Sequence, residues 1–322
     1  MSSSQDFFSL LHVALSVTAP IFLIISLGIL LTYIKFINQE FIRIASKLIF
    51  NIGLPIMLFT STSTQDFSQL INISHIVLML LTTLIVFFAS NFTAYKYIEN
   101  KQDKGVFVQG AFRGNLIIIG LAFCVSAYPE QGIAIATLPT AIIIITYNLL
   151  SIYTLNASLH HEKFSIKKNL QDIIKNPLII GITTGLFFNL INFPIPSIII
   201  QTNHYLTQMT LPLALIAIGG SLNFLQLQQN IYPAMMASVW KVILSPIIFI
   251  ILILIWPIDP IATGVLFLLI ASPTATASFI MVKAMQGNSD LAAKIIIVST
   301  LLSLFTVTLG FALLISFGFV AM

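Results

Sequence analysis

Ile270-Ala271-Ser272-Pro273-Thr274-Ala275-Thr276 lies inside an apolar run from about Ile261 to Met281. About 20 such residues suffice to cross a bilayer as a helix. Pro273 has no backbone N–H and crowds the carbonyl four residues back, so a helix kinks or breaks there. Backbone groups freed in hydrocarbon must be satisfied by protein or must line a wet cavity. The hydroxyls of Ser272, Thr274 and Thr276 crowd round the break. Taken alone, the stretch has two readings. One is a substrate site built on a broken helix at mid-membrane; the other is a proline kink whose hydroxyls bond back to their own helix.

Composition sets the frame. Hydrophobic residues make up 58% of the 322 and charged residues 7%, against roughly 25% charged in soluble domains. Mean hydropathy is +1.03. The chain therefore reads as an all-α polytopic membrane protein. The net charge of +4 does not imply a nucleic-acid partner, because the cations are scattered singly over short loops. The single cysteine, Cys124, excludes a disulfide framework and a Cys-based metal site. Residues Met1 to Ser9 carry Asp6 and no Lys or Arg, unlike the basic start of a secretory signal. The first apolar run is accordingly expected to be a retained helix.

Ten spans can be drawn, near Leu10–Tyr33, Ile44–Thr60, Ile73–Tyr95, Val106–Ala127, Ile133–Leu155, Pro177–Ile191, Tyr205–Leu222, Pro233–Leu254, Ile261–Met281 and Leu291–Phe319. Spans two, six and seven are short, as tilted or partly re-entrant segments are. Of the 14 basic residues, all but Arg113 and Lys241 fall to the odd-numbered loops. These are Lys35, Arg43 and Lys47; Lys96, Lys101 and Lys104; Lys163, Lys167, Lys168 and Lys175; and Lys283 and Lys294. Lys and Arg mark the cytoplasmic side, so both termini are expected on the outer side of a plasma membrane.

A repeat appears when the chain is shifted by 157 residues: Pro20 meets Pro177, Gly28 meets Gly185, Phe36 meets Phe193, and Leu54-Pro55 meets Leu211-Pro212. Leu58 meets Leu215, Phe67 meets Phe224, and Gln69-Leu70 meets Gln226-Leu227. Five spans separate the copies, an odd number, so the halves are inverted, as in many secondary transporters. The same shift lays Ser272 on Asn115 and Pro273 on Leu116. The earlier copy lacks the proline, but Gly114 loosens a helix and Asn115 offers a donor and an acceptor. Weak points at matching places in two halves point to a binding site.

The motifs Ala19-Pro20, Asn51-Ile52-Gly53-Leu54-Pro55, Arg113-Gly114-Asn115 with Ile119-Gly120-Leu121, and Ala271-Ser272-Pro273-Thr274-Ala275 make the chain similar to the auxin efflux carrier family. The resemblance covers essentially the whole chain and rests on the order and spacing of short motifs. It implies ten transmembrane helices in two inverted five-helix repeats, a bile-acid/sodium-symporter-like fold, with discontinuous helices four and nine crossing at the site. The repeats would be residues 1–155 and 177–322, joined by a cytosolic loop, 156–176, whose shortness resembles bacterial members. Spans one, two, six and seven would form a scaffold, often a homodimer surface. Plant auxin exporters carry Asn-Pro at both crossings. This chain has Asn115-Leu116 and Ser272-Pro273, so auxin itself does not follow.

Arg113 is the one cation in the fourth span. An intramembrane charge is a functional candidate by default, and the guanidinium fork suits a carboxylate. Arg113 also sits near enough to the span's start to snorkel to the cytoplasmic face. Lys241, after Trp240 in the eighth span, has three readings: a proton-exchanging amine, a replacement for a bound cation, or a snorkelling or aromatic-packed lysine. All ten acids fall in loops or at span ends, against a carboxylate proton relay or acidic sodium site. Asn51, Thr146, Asn148 and Ser299 offer weak cation ligands or plain interhelical bonds. His12, His75 and His204 are expected at the outer interface, and His160-His161-Glu162 in a solvated loop. Gly181/Gly185 and Gly110/Gly114 have helix-packing spacing. No phosphate loop, zinc signature or nucleophile elbow is present.

The expectation is a carrier, not an enzyme, with no cofactor or metal, moving a small organic anion by alternating access, in the efflux direction. Arg113, Gly114, Asn115, Ser272, Pro273, Thr274 and Thr276 would bind it, with Lys241 as coupling or structural cation. The other classes are a sodium- or proton-coupled symporter of a dicarboxylate or bile-acid-like solute, and a membrane-embedded enzyme or sensor.

Overall fold

Hydrocarbon admits backbone only as helix or closed barrel, and this chain takes the helix. A computed structural model describes residues 2–64, 72–159, 175–224 and 231–321, with side chains from residue 8. In order, the helices are α1 (Ser2–Tyr33), α2 (Gln39–Leu48), α3 (Leu54–Thr64), α4 (Ile73–Tyr97), α5 (Lys101–Phe112), α6 (Leu121–Ala127) and α7 (Gly132–Leu159). They continue as α8 (Pro177–Leu190), α9 (Ser197–Ser221), α10 (Tyr232–Val239), α11 (Ser245–Ile255), α12 (Pro260–Ala271), α13 (Ala277–Ala284) and α14 (Ser289–Ser316). Single π-type turns at Ile49–Gly53, Leu116–Gly120 and Trp240–Leu244 join α2 to α3, lead into α6, and join α10 to α11. Such turns often mark functional sites.

Among the described residues, six helices are long and apolar enough to cross a membrane: Phe8–Tyr33, Gln39–Thr64, Ile73–Tyr97, Gly132–Leu159, Tyr232–Ile255 and Ser289–Ser316. The protein is thus a multi-pass helical membrane protein. Many of its helices start where a short polar side chain accepts a free N–H of the first turn. Asn38 takes Phe41 N–H, Asn72 Ser74, Asn100 Gln102, Asn176 Leu178, Asp259 Ala262 and Asn288 Leu291.

Spans two and seven are longer than their apolar runs. They fill Gln39–Thr64 and Ser197–Ser221, 26 and 25 residues, rather than Ile44–Thr60 and Tyr205–Leu222. The start of span two carries Gln39, Glu40 and Arg43, while in span seven Gln201, Asn203 and His204 separate Ile198 to Ile200 from the rest of the apolar run, and hydrophobicity alone does not register either start. Span six stays short at 14 residues, ~21 Å at helical rise. Lys294 is not a loop residue either. It lies within α14, 6% exposed, with Nζ 2.7 Å from Asp290 Oδ2. The histidine pair His160-His161, and the repeat matches at Phe67, Gln69-Leu70 and Gln226-Leu227, lie outside the described residues.

Helix packing has two dense groups, bridged by α1 lying along α14. In one, α1 lies along α9 and α8 along α3. Gly28 sits against the Ile216 carbonyl and Gly185 against the Phe59 carbonyl and Thr62, so closely that any Cβ would collide. Gly219 meets the Ile25 carbonyl in the same way, and Thr62 Oγ1 donates to Ile182 O at 3.4 Å. Without these contacts the helix pairs could not approach to backbone distance, the usual reason for small residues between membrane helices. In the other group, α5 packs on α4 and α7, and α14 on α10. The segment Lys101–Ala127 and the segment Pro260–Ala284 are each broken midway and meet there.

Candidate functional site

At the break, the residue before a proline is driven to extended backbone, and Ser272 sits at φ −57, ψ 144. Arg113 is extended too, at φ −82, ψ 95. Two short extended segments thus pass each other, and Gly114 and Thr274 form an antiparallel bridge. Asn115 N–H donates to Pro273 O at 2.7 Å, and Ala275 N–H to Arg113 O at 2.9 Å. Side chains satisfy most of what remains. Thr274 Oγ1 donates to Gly110 O at 2.8 Å, Ser272 Oγ to Leu269 O at 2.6 Å, and Lys241 Nζ to Ile270 O at 2.6 Å. Ser299 Oγ accepts Thr274 N–H at 3.1 Å. Each break therefore supplies the hydrogen bonds that the other lost, as backbone buried in hydrocarbon requires.

A cavity of about 200 Å3 lies along one face of this crossing. Ligand pockets for drug-sized molecules run ~300–1,000 Å3, so this one suits a smaller guest. Its walls include Phe50, Leu54 and Leu178, the Arg113-Gly114-Asn115 segment, Leu116 to Ile118, Tyr147, Asn148 and Ala275 to Ala277. Asn176, which caps α8 beside Lys175, also lines it. The cavity therefore reaches toward the lysine-bearing end of the molecule.

Arg113 is 9% exposed. Its Nη1 donates to Ser151 Oγ at 3.1 Å and to Met281 Sδ at 3.2 Å, and its Nη2 to Asn148 Oδ1 at 2.9 Å. Every one of these partners is uncharged. Among the described residues no carboxylate lies within ion-pair reach of Arg113 or Lys241. Asn115 is 5% exposed; its Oδ1 accepts Ile118 N–H at 3.4 Å, while its buried Nδ2 has no partner. Leu116–Ala127 and α13 both begin at the cavity wall. The N-terminal ends of helices carry free N–H groups and partial positive charge. The cavity is thus bordered by two helix starts, a guanidinium and an unpaired amide donor. Such a lining favours an anion with hydrogen-bond-accepting oxygens.

The seven candidate binding residues separate by position. Arg113, Gly114, Asn115 and Thr276 line the cavity. Ser272, Pro273 and Thr274 sit behind it, with both hydroxyls spent on helix carbonyls. Lys241 is also behind, fully buried and packed on Gly114, so neither cation snorkels. Sequence reasoning did not single out Tyr147, Ser151, Asn176 or Met281. The signal for part of this was present: Asn148 and Ser151 are three apart in α7, on one face of the helix. His75 lies in the first turn of α4. It is 6% exposed, with Nε2 3.6 Å from Asp259 Oδ2. The nearby His75 imidazole holds the Asp259 carboxyl below the usual carboxylate range, with burial opposing. Asn51 and Thr146 bond their own helices, to Lys47 O and Ile142 O.

Comparison with known proteins adds two findings. The profile of a family described as membrane transport protein matches residues 13–310. A relative described as an uncharacterized transporter, from Methanocaldococcus jannaschii, is 24% identical over 308 residues, 92% of this chain and 97% of that one.

Proposed function

The chain belongs to the auxin efflux carrier family of membrane transport proteins, and on that premise we propose that it exports a small organic anion, of the carboxylate class, by alternating access. The observation that carries this reading is Arg113: a buried guanidinium at a cavity wall, held by neutral groups alone. Burying a charge in a membrane is costly, and a bound carboxylate would offset that cost through a bidentate pair. Asn115 Nδ2 and Thr276 Oγ1 would orient the ligand, and the two helix starts would add partial positive charge. A negative cell interior drives an anion outward at ~2.3 kcal/mol per charge per 100 mV, so no second ion is required.

The architecture we propose is ten spans in two inverted halves, 1–155 and 177–322, joined by the 156–176 loop. Glycine packing supports it. Shifting by 157 carries the Gly28–Ile216 contact onto Gly185–Phe59 with the partners exchanged, and the Gly219–Ile25 contact onto Thr62–Ile182. A pseudo-two-fold axis in the membrane plane produces that exchange. Both termini would face outward across the plasma membrane, and spans one, two, six and seven would form a scaffold and homodimer surface.

The test uses purified carrier in vesicles and a panel of labelled carboxylates, each paired with its neutral amide. Arg113→Lys keeps charge and loses the fork, so it should weaken carboxylate binding. Arg113→Gln should weaken it by ~1.5–3 kcal/mol, the range for a charged hydrogen bond, and leave the amide unaffected. Equal loss for acid and amide would remove the anion reading. Uptake that requires sodium would instead favour a coupled symporter.

A further inference from the structure

Lys241 is a fully buried cation that the transport reading leaves unused. It lies in the π-type turn Trp240–Leu244 and is 0% exposed. Among the described residues its ammonium meets no acid, and it does not line the cavity. It donates instead to Ile270 O at 2.6 Å, in the last turn of α12. The last four carbonyls of a helix have no partner within the helix, and that end carries partial negative charge. Here two of the four are covered by side chains. Ser272 N–H and Oγ take Leu269 O, and Lys241 takes Ile270 O. The lysine stem fills the space beneath the crossing. A Cβ added at Gly114 would stand 2.8 Å from Lys241 Cε, 3.0 Å from Nζ and 3.0 Å from Ser272 Oγ.

Broken helices in coupled transporters commonly hold a free cation at this kind of place, against the C-terminal carbonyls of a half-helix. We propose that the Lys241 ammonium occupies a monovalent-cation position at the rear of the crossing, so that the protein carries its own cation and needs none from solution. The position is bounded by Ile270 O, Ser272 Oγ and the Gly114 backbone. One positive charge and a hydrogen-bond donor are supplied permanently, through a covalent stem from span eight. The tether also links α10 and α11 to the end of α12, so the two broken segments and span eight hold together as one body. Removing the ammonium but not the space should leave a vacancy that a small free cation fills. This inference deepens the proposed function by stating its ion requirement, yet its test does not need the substrate.

Melting of the purified full-length protein in detergent is measured in chloride salts of sodium, potassium, lithium and N-methyl-D-glucamine, at constant ionic strength. The wild type should melt alike in all four. Lys241→Ala opens the space; it should melt several degrees lower in N-methyl-D-glucamine and recover saturably with added sodium or methylammonium. Lys241→Met fills the space without charge; it should melt lower and show no recovery. A wild type stabilised by sodium would overturn the proposal, because the cation position would then be free. So would a Lys241→Met variant that melts like the wild type, or a Lys241→Ala variant indifferent to every cation. If neither variant folds, the wild-type salt series still decides. Failure here leaves the Arg113 acid-versus-amide comparison intact, and failure there leaves these melts intact.

Discussion

At the first break, between α5 and Leu116, the chain turns on Arg113-Gly114-Asn115 without a proline. At the second, between α12 and α13, it turns on Ser272-Pro273. Each break has one buried cation beside it, obtained differently. Arg113 belongs to its own break, and its side chain turns outward to the cavity wall. The matching residue of the second half is Ile270. Its charge is supplied by Lys241 from span eight, bonded to that same residue's carbonyl. The guanidinium has donors to spare for a planar anion. The ammonium is a point charge spent on the backbone. On the proposed reading, the two breaks would divide the work, one face meeting the ligand and the other holding the crossing together.

The contact between the two cations' surroundings is where this comparison breaks most readily. Gly114→Ala would push a methyl into the Lys241 stem, and overpacking of this kind costs ~1–3 kcal/mol. Melting of Gly114→Ala, Lys241→Ala and the double variant should show a combined loss smaller than the sum of the single losses. Strict additivity would mean that the two breaks are not coupled through this point.

A smaller effect separates the faces of the second break. Thr274→Val removes the bond to Gly110 O and should cost about 1 kcal/mol of stability, the net worth of one such hydrogen bond. Thr276→Val, at the cavity wall, should leave the melting temperature unchanged and weaken binding of the carboxylate. Should the two variants behave alike, the division into a rear and a cavity face fails.

The smallest effect lies away from both breaks, at the start of α12. The Asp259 carboxyl is held below its ordinary value, first by the His75 imidazole 3.6 Å away. A lowered carboxylate favours the folded state above the unfolded pKa, near ~3.9, and that contribution is lost as pH falls through the folded value. Stability of the wild type should therefore drop below about pH 4 more steeply than that of Asp259→Asn. The substitution should also lower stability slightly at neutral pH, through a weaker cap on Ala262 N–H. Parallel pH curves would remove His75–Asp259 as a link between α4 and α12.

Several features were legible because they depend on local chemistry. Length and hydrophobicity of the runs set helical membrane spans, since hydrocarbon leaves no other open-chain solution. Pro273 located one break, and the 157-residue shift pointed to the other, which the structure has at the matching place. The starts of spans two and seven were not legible, since Gln39 to Arg43 belong to the helix without being hydrophobic, and Gln201, Asn203 and His204 interrupt the apolar run after Ile198 to Ile200.

Sequence by itself determined that Arg113, Asn115, Ser272, Thr274 and Thr276 gather at a bend in the membrane. Only the tertiary structure decided which of them face a cavity. A hydroxyl within reach of a helix carbonyl binds it, as Ser272 and Thr274 do, and whether the carbonyl is within reach depends on how two chains cross. The destination of Lys241 is of the same kind. Nothing within span eight points to Ile270 O, which lies 29 residues on. The bond exists because α12 ends, unpartnered, where that side chain arrives.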